Sequence, residues 1–244
     1  MKTEKYFDDL AKKYDKKAWG VENAPWVKWG WRVIRKEVGR ARNSLIVDLG
    51  TGTGNVILEL LKTTRDSEFI GVDISRGMIK EARKKFKKMG LKNVKLMVSH
   101  LDRLKLPENS VDFFVSGGAF HHIKNKEKVI RNLFRMLKPE GKIINADQFK
   151  PGKVYRKEVE KLRERYPESA KVNDRIYREF MKKLEQDKRH PREFHITPYE
   201  FREILRKTGF VGCRVFLSLQ PNFSVVAGKK PRGKTRYRGK GGHW

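Results

Sequence analysis

The sequence predicts an α/β fold built on a doubly wound, mostly parallel sheet, and three observations carry that prediction. Short apolar runs of buried-strand type recur along the chain, with helix-period stretches between them. The first run, Leu45-Ile46-Val47, enters a turn with glycine at 50, 52 and 54, and a helix reads from Val56 to Leu61. The second, Glu68 to Val72, ends on Asp73 and precedes a helix-period stretch from Arg76 to Met89. Strands alternating with helices in this order pair side by side through crossovers.

From the N-terminus, Phe7, Leu10, Ala11 and Tyr14 share one face of a helix over residues 4–15. Trp19, Trp26, Trp29 and Trp31 follow within thirteen residues, and Pro25 is placed to open a helix reaching about Val38. Indoles this dense need a surface: they pack on the core, or they form an aromatic lid. The glycine turn lets the backbone approach a ligand, and the free amides at the following helix start favour a carboxylate or phosphate. A dinucleotide fingerprint fits poorly, because its third small position falls on Asn55. Asp48 ends the first strand, and Asp73, ending the second, is placed to take a ribose diol.

A third strand reads over Val94 to Val98, followed by Ser99-His100-Leu101, and a fourth over Val111 to Ser116, followed by Gly117-Gly118-Ala119-Phe120-His121-His122-Ile123. Ligands of open α/β sheets sit beyond the carboxyl ends of strands, so this last segment is where chemistry is expected. A helix over about Lys126 to Leu137 and a fifth strand over Gly141 to Ala146, ending at Asp147, come next. Residues 151–190 turn to charged helical sequence in two pieces, Lys153 to Tyr166 and Glu168 to Lys188, divided near Pro167. Val159, Leu162, Val172, Ile176, Tyr177, Phe180, Met181 and Leu184 give this insert an apolar face, which suits either a cap over the substrate side or a solvated hairpin. Thr197 and Pro198 read as N-cap and first residue of a helix ending at Thr208-Gly209, before strands over Phe210 to Leu217 and Phe223 to Gly228. Residues 229–244 hold seven basic residues and no acid, the pattern of a flexible basic tail.

The 244 residues suit one large domain with insertions. There are 58 Lys and Arg against 29 Asp and Glu, a formal charge of +29, which points to a polyanionic partner. Heat adaptation accounts for the 36% charged residues but not for the two-to-one imbalance. A single cysteine, Cys213, excludes an intramolecular disulfide and offers no zinc spacing, so no metal is expected and a reducing cytosol fits. Neither a signal peptide nor a membrane span is legible, and a soluble cytoplasmic protein is the expectation.

These residues resemble the class I methyltransferases that use S-adenosylmethionine. Val47 to Gly54 is similar to their first motif, Gly71-Val72-Asp73-Ile74-Ser75 to their second, and Leu137-Lys138-Pro139-Glu140-Gly141 to the turn before their fifth strand. The Phe-Asp-x-x-Ala-x-x-Tyr-Asp opening at Phe7 resembles the branch related to quinone biosynthesis. The resemblance implies a Rossmann-like seven-stranded sheet closed by an antiparallel pair. It divides the chain into a helical lid (1–40), a cofactor-binding core (41–150 and 191–228), a basic helical cap (151–190) and the tail (229–244). Implied cofactor contacts are Asp48, Gly50, Thr51, Gly52 and Asn55 in the first motif, Asp73, Ile74 and Met78 around the second, and His100, Leu101 and Ser116 at the next strand ends. The acid that usually holds the adenine amine after the third strand is missing, leaving His100 or Asp102 to substitute.

The segment Ser116 to Phe120 stands where methyltransferases acting on base amines carry an acceptor and a stacking aromatic, though both prolines of that motif are absent. Ser116, Phe120, His121 and His122 are the catalytic candidates; the two histidines are either structural or substrate acceptors. The chain looks like an archaeal methyltransferase acting on structured RNA, with ribosomal RNA at a base amine such as cytosine N4 as the expected target. The alternatives are a small molecule of the quinone-precursor kind and a non-enzymatic RNA-binding chaperone.

Overall fold

Residues 3–17, 24–64 and 66–233 are described by a computed structural model. Trp19 and the tail beyond residue 233 lie outside the described residues, as does the side chain of Leu184. Seven strands form one sheet in the order β3-β2-β1-β4-β5-β7-β6. They are β1 (Leu45–Leu49), β2 (Glu68–Asp73), β3 (Val94–Val98), β4 (Val111–Gly117), β5 (Leu137–Gln148), β6 (Val211–Leu217) and β7 (Phe223–Lys229). The first five are parallel; β7 lies antiparallel to both β5 and β6. This is the doubly wound sheet with its closing antiparallel pair that the sequence predicts.

The order reverses at β1, whose neighbours are β2 and β4, so a crevice opens at the carboxyl ends of β1 and β4. One layer of core packs Ile34 and Val38 of α3 (Pro25–Val38) and Ile57 and Leu60 of α4 (Asn55–Leu60) on one face of the sheet. The other face is covered by Ile130 and Leu133 of α6 (Lys126–Met136) and Phe201 and Leu205 of α9 (Pro198–Thr208). Between β2 and β3 runs α5 (Arg76–Lys88), started by Ser75, whose hydroxyl accepts from the Met78 amide. Thr197 caps α9 as the sequence predicts, in a reciprocal pair with Glu200.

The helix expected over residues 4–15 is broken into α1 (Thr3–Leu10), a tight turn at Ala11–Lys13 and α2 (Tyr14–Lys17). The break lets two acids anchor separately: Asp8 accepts from the Gly77 amide at 2.7 Å, and Asp15 accepts from the Thr53 hydroxyl at 2.6 Å. Trp26 is buried in the core layer, with Trp29 and Trp31 packed against it. The insert forms α7 (Lys153–Arg165) and α8 (Pro167–Gln186). Tyr155 and Val159 of α7 are buried, and the Tyr155 hydroxyl donates to the Phe223 carbonyl at 3.1 Å. Val172, expected on the apolar face, is 44% exposed.

Two boundaries move. β5 begins at Leu137, because the Lys138 to Gly141 turn is held as an irregularity against β4, with Glu140 at φ 67°. The basic tail starts later than residue 229: Lys229 completes β7, and the Lys230 ammonium donates to the carbonyls of Phe134 (2.9 Å) and Leu137 (2.7 Å). Among the described residues no helix is long and apolar enough to cross a membrane.

Candidate active site

The glycine turn after β1 is shaped by positive φ angles at Gly50, Gly52 and Gly54. The amides of Gly50 and Thr51 donate to the Val72 carbonyl at 2.8 and 2.9 Å, which docks the turn on the end of β2. A Cβ at Gly54 would stand 2.2 Å from the Phe86 ring, whereas one at Gly52 would meet nothing within 4 Å. The open face of Gly52 is part of the wall of a cavity of about 840 Å3.

Asp73 faces the same cavity from the end of β2. One carboxylate oxygen accepts from the Gly52 amide at 2.8 Å and the other from the Ser75 amide at 2.9 Å. Burial pushes its pKa up, and the backbone donors pull against that. Ile74, Met78, His100 and Leu101 complete this side, and Phe7 and Tyr14 of the N-terminal segment close over it. Asp102 also borders the cavity, beside His100, where an adenine amine partner is wanted. An open glycine face, a carboxylate at a strand end and apolar walls from Ile74, Met78 and Leu101 together fit an adenosyl group.

Other predicted residues fall elsewhere. Asp48 is fully buried beneath the turn, outside that cavity; one oxygen accepts the Thr51 hydroxyl at 2.7 Å and the other has no partner. Burial pushes its pKa up to about 7, against the Thr51 hydrogen bond. An acid whose folded pKa is raised favours the folded state below its unfolded pKa and loses that contribution as pH rises towards 7. Asp48→Asn is therefore expected to flatten the stability profile between pH 4 and 8, by up to about 4 kcal/mol. Chemical denaturation at several pH values measures this, and an unchanged slope contradicts the burial argument.

Asn55 points to the N-terminal segment, its amide 3.3 Å from Asp15 and its oxygen accepting from Lys85 at 2.9 Å; it lies outside the larger cavity. Ser116 is buried, and its hydroxyl is spent on the Leu49 carbonyl at 2.9 Å. Phe120 is 1% exposed and packs edge-on against Phe201, with ring centroids 5.3 Å apart. It is a core residue, so the stacking role read from the sequence is corrected. The chain turns immediately after β4 through Gly117 and Gly118, and that turn sends Phe120 inward.

The two histidines do reach a cavity. A second, smaller space of about 130 Å3 is walled by Tyr6, Trp26, Trp31, Phe180 and Phe223, with His121, His122, Gln148, His190 and Glu193 as its polar side. Gly50, Gly52, Gly118 and His122 border both spaces, which makes them adjoining. His121 Nδ1 lies 2.6 Å from one Asp147 oxygen, and its backbone amide donates to the other at 3.1 Å. His122 Nδ1 is buried with no partner. Burial first, and then neighbouring His121, hold the His122 pKa down to about 2, so the ring is a neutral acceptor.

Sequence reading missed His190, Glu193 and His195 and left Asp147 without a role. The signal was present as His190-x-x-Glu193-x-His195 in the loop before α9, and as an acid at the carboxyl end of a strand. The Phe194 amide donates to the His121 carbonyl at 2.7 Å, which brings this loop against the site. Glu193 accepts from His195 Nε2 at 2.6 Å. Burial raises the Glu193 pKa, but that hydrogen bond and the neighbouring histidines outweigh it and hold the group below the usual range.

Beside the larger cavity, and sharing Asp102 and Lys128 with it, runs a groove of about 1020 Å3 between the Leu101–Arg103 turn, α6 and the end of α9. Arg103, Lys105, Arg131, Arg135, Arg206 and Lys207 line it with Lys128, against only two acids, Asp102 and Glu108.

Residues 41–207 match a family described as a methyltransferase domain. A demethylmenaquinone methyltransferase from Symbiobacterium thermophilum is 28% identical over 59% of this chain, and the match spans 58% of that relative's length. One from Listeria welshimeri is 27% identical over 73% of this chain and 77% of its own. The crystal structure of a SAM-dependent methyltransferase from Aquifex aeolicus superposes with a TM-score of 0.63 at 23% identity, covering 91% of this chain and 97% of that one.

Proposed function

Because the chain belongs to the methyltransferase-domain family and is an S-adenosylmethionine-dependent methyltransferase, we propose that its substrate is RNA, offered as a planar base to the aromatic-walled cavity. The observation that carries this reading is charge: +29 over the chain, with a seven-to-two excess of bases over acids in the groove beside the cofactor cavity. A base amine such as cytosine N4 of ribosomal RNA suits the neutral acceptor at His122.

The bound cofactor supplies an electrophilic methyl group on a sulfonium. Asp73 and the Gly52 face hold its adenosyl part, while Gly118, where a side chain would meet open space, lets the substrate approach closely. Trp26, Trp31 and Phe223 wall the ring's space and exclude water. The unpartnered Nδ1 of His122 accepts a hydrogen bond from the amine, returning electron density to its nitrogen. His121, oriented by Asp147, is the group to take the released proton.

A second reading has its own support: the named relatives are demethylmenaquinone methyltransferases, and they favour a small quinone-like ring over RNA. In that case the same aromatic walls hold the ring and the groove is a charged surface.

Methyl transfer from radiolabelled S-adenosylmethionine to total RNA, ribosomal particles and a small-molecule extract separates the two. Label in RNA supports the first reading; label only in the extract replaces it with the second. If RNA is bound, Lys105→Gln and Arg131→Gln are each expected to lower the slope of log affinity against log salt by about 1. Unchanged slopes in both variants would remove the groove from the RNA path.

A further inference from the structure

Four of the chain's six histidines stand around one carboxylate, and hydrogen bonding explains only part of that arrangement. His195 Nε2, at 2.6 Å from one Glu193 oxygen, is an ordinary hydrogen bond. The other Glu193 oxygen faces His121 Nε2 at 3.7 Å and His190 Nε2 at 3.6 Å, both too long for one. Those separations are close to the distance of about 3.4 Å between two ligand atoms that share a tetrahedral zinc ion. Ligand atoms of His121, His122 and Glu193 all lie within 4.8 Å of one another.

The surrounding contacts prepare each ring for coordination. His121 Nδ1 is engaged by buried Asp147 at 2.6 Å, so its Nε2 lone pair is directed at Glu193, in the carboxylate-histidine arrangement that orients metal ligands. His122 keeps Nδ1 buried and unpartnered. His195 fixes the outer oxygen of Glu193.

We propose that His121, His122 and Glu193, with His190 as a fourth ligand, bind one divalent transition-metal ion of the zinc class at the polar side of the aromatic-walled cavity. Two or three imidazoles with one carboxylate suit zinc, cobalt or iron rather than magnesium or calcium. The ion then stands where an oxygen or nitrogen on a bound ring reaches it. The site does not depend on which substrate is methylated, but an ion bound there engages the lone pairs of His121 Nε2 and His122 Nδ1, so the loaded form does not use those two rings as free base and amine acceptor.

The test uses the untagged full chain, stripped with a chelator and titrated with Co2+ alone, read by visible absorption and followed by Zn2+ competition. One Co2+ per chain with a d-d band in the tetrahedral range is expected. Glu193→Gln and His122→Ala should abolish the band, and Asp147→Asn should weaken affinity 10- to 100-fold. Near-UV circular dichroism verifies that each variant is folded, and His190→Ala, at the rim of the cluster, stands in for any that is not. No band, or uptake that persists equally in Glu193→Gln and His190→Ala, overturns the proposal. Either result leaves the assignment as a methyltransferase where it stands, since no methyl transfer is measured; Co2+ bound as expected replaces only the free-imidazole roles given to His121 and His122.

Discussion

Asp73→Ala is expected to bind S-adenosylmethionine about 100-fold more weakly than the wild-type chain, or worse, in a calorimetric titration. The carboxylate sits at the end of β2 with its oxygens on the amides of Gly52 and Ser75, and the residue lines the cavity. Hydrogen bonds to a charged acceptor contribute about 1.5–3 kcal/mol each, so losing two ribose hydroxyl contacts accounts for such a drop. Asp73→Asn separates the two duties, since its one carbonyl oxygen retains an amide contact but not the charge. An alanine variant that is folded and keeps wild-type affinity would remove Asp73 from the cofactor site.

Phe120→Ala is expected to lower unfolding free energy by about 3–5 kcal/mol, because a fully buried ring packed on Phe201 leaves a cavity the neighbours cannot fill. Phe120→Leu keeps most of the volume and is expected to cost under about 1.5 kcal/mol while retaining methyl transfer. Denaturant unfolding and initial rates measured on the same preparations decide it. Leucine stability near wild type with transfer lost more than tenfold would restore the stacking role.

The different fates of Asp73 and Phe120 show how far sequence carries. Strand, glycine turn, helix and terminal acid are local signals with fixed spacing, so the sheet and the cofactor half were legible from Leu45 to Met89. The substrate half is assembled from loops far apart in the chain. Whether Phe120 faces inward depends on φ +99° at Gly118, and the company His121 keeps depends on Asp147 and on Glu193, more than seventy residues later. Asn55 and Ser116 sit at the expected places on the backbone, yet each spends its side chain on a structural partner that only tertiary packing supplies. Spacing predicts positions along the backbone; it does not predict which hydrogen-bond partners a side chain will choose.

The strand order carries a consequence for how the protein is made. β7 is among the last described segments to leave the ribosome, yet it lies between β5 and β6, paired along both edges and with all but its last residue buried. A nascent chain that has reached Leu217 has the parallel half of its sheet available but leaves the β5 edge without a neighbour. Pairing of this kind is non-local and slow, and an open edge invites other chains. Chains stalled or truncated in the stretch from Gln220 to Lys229 are therefore the ones expected to depend most on chaperones.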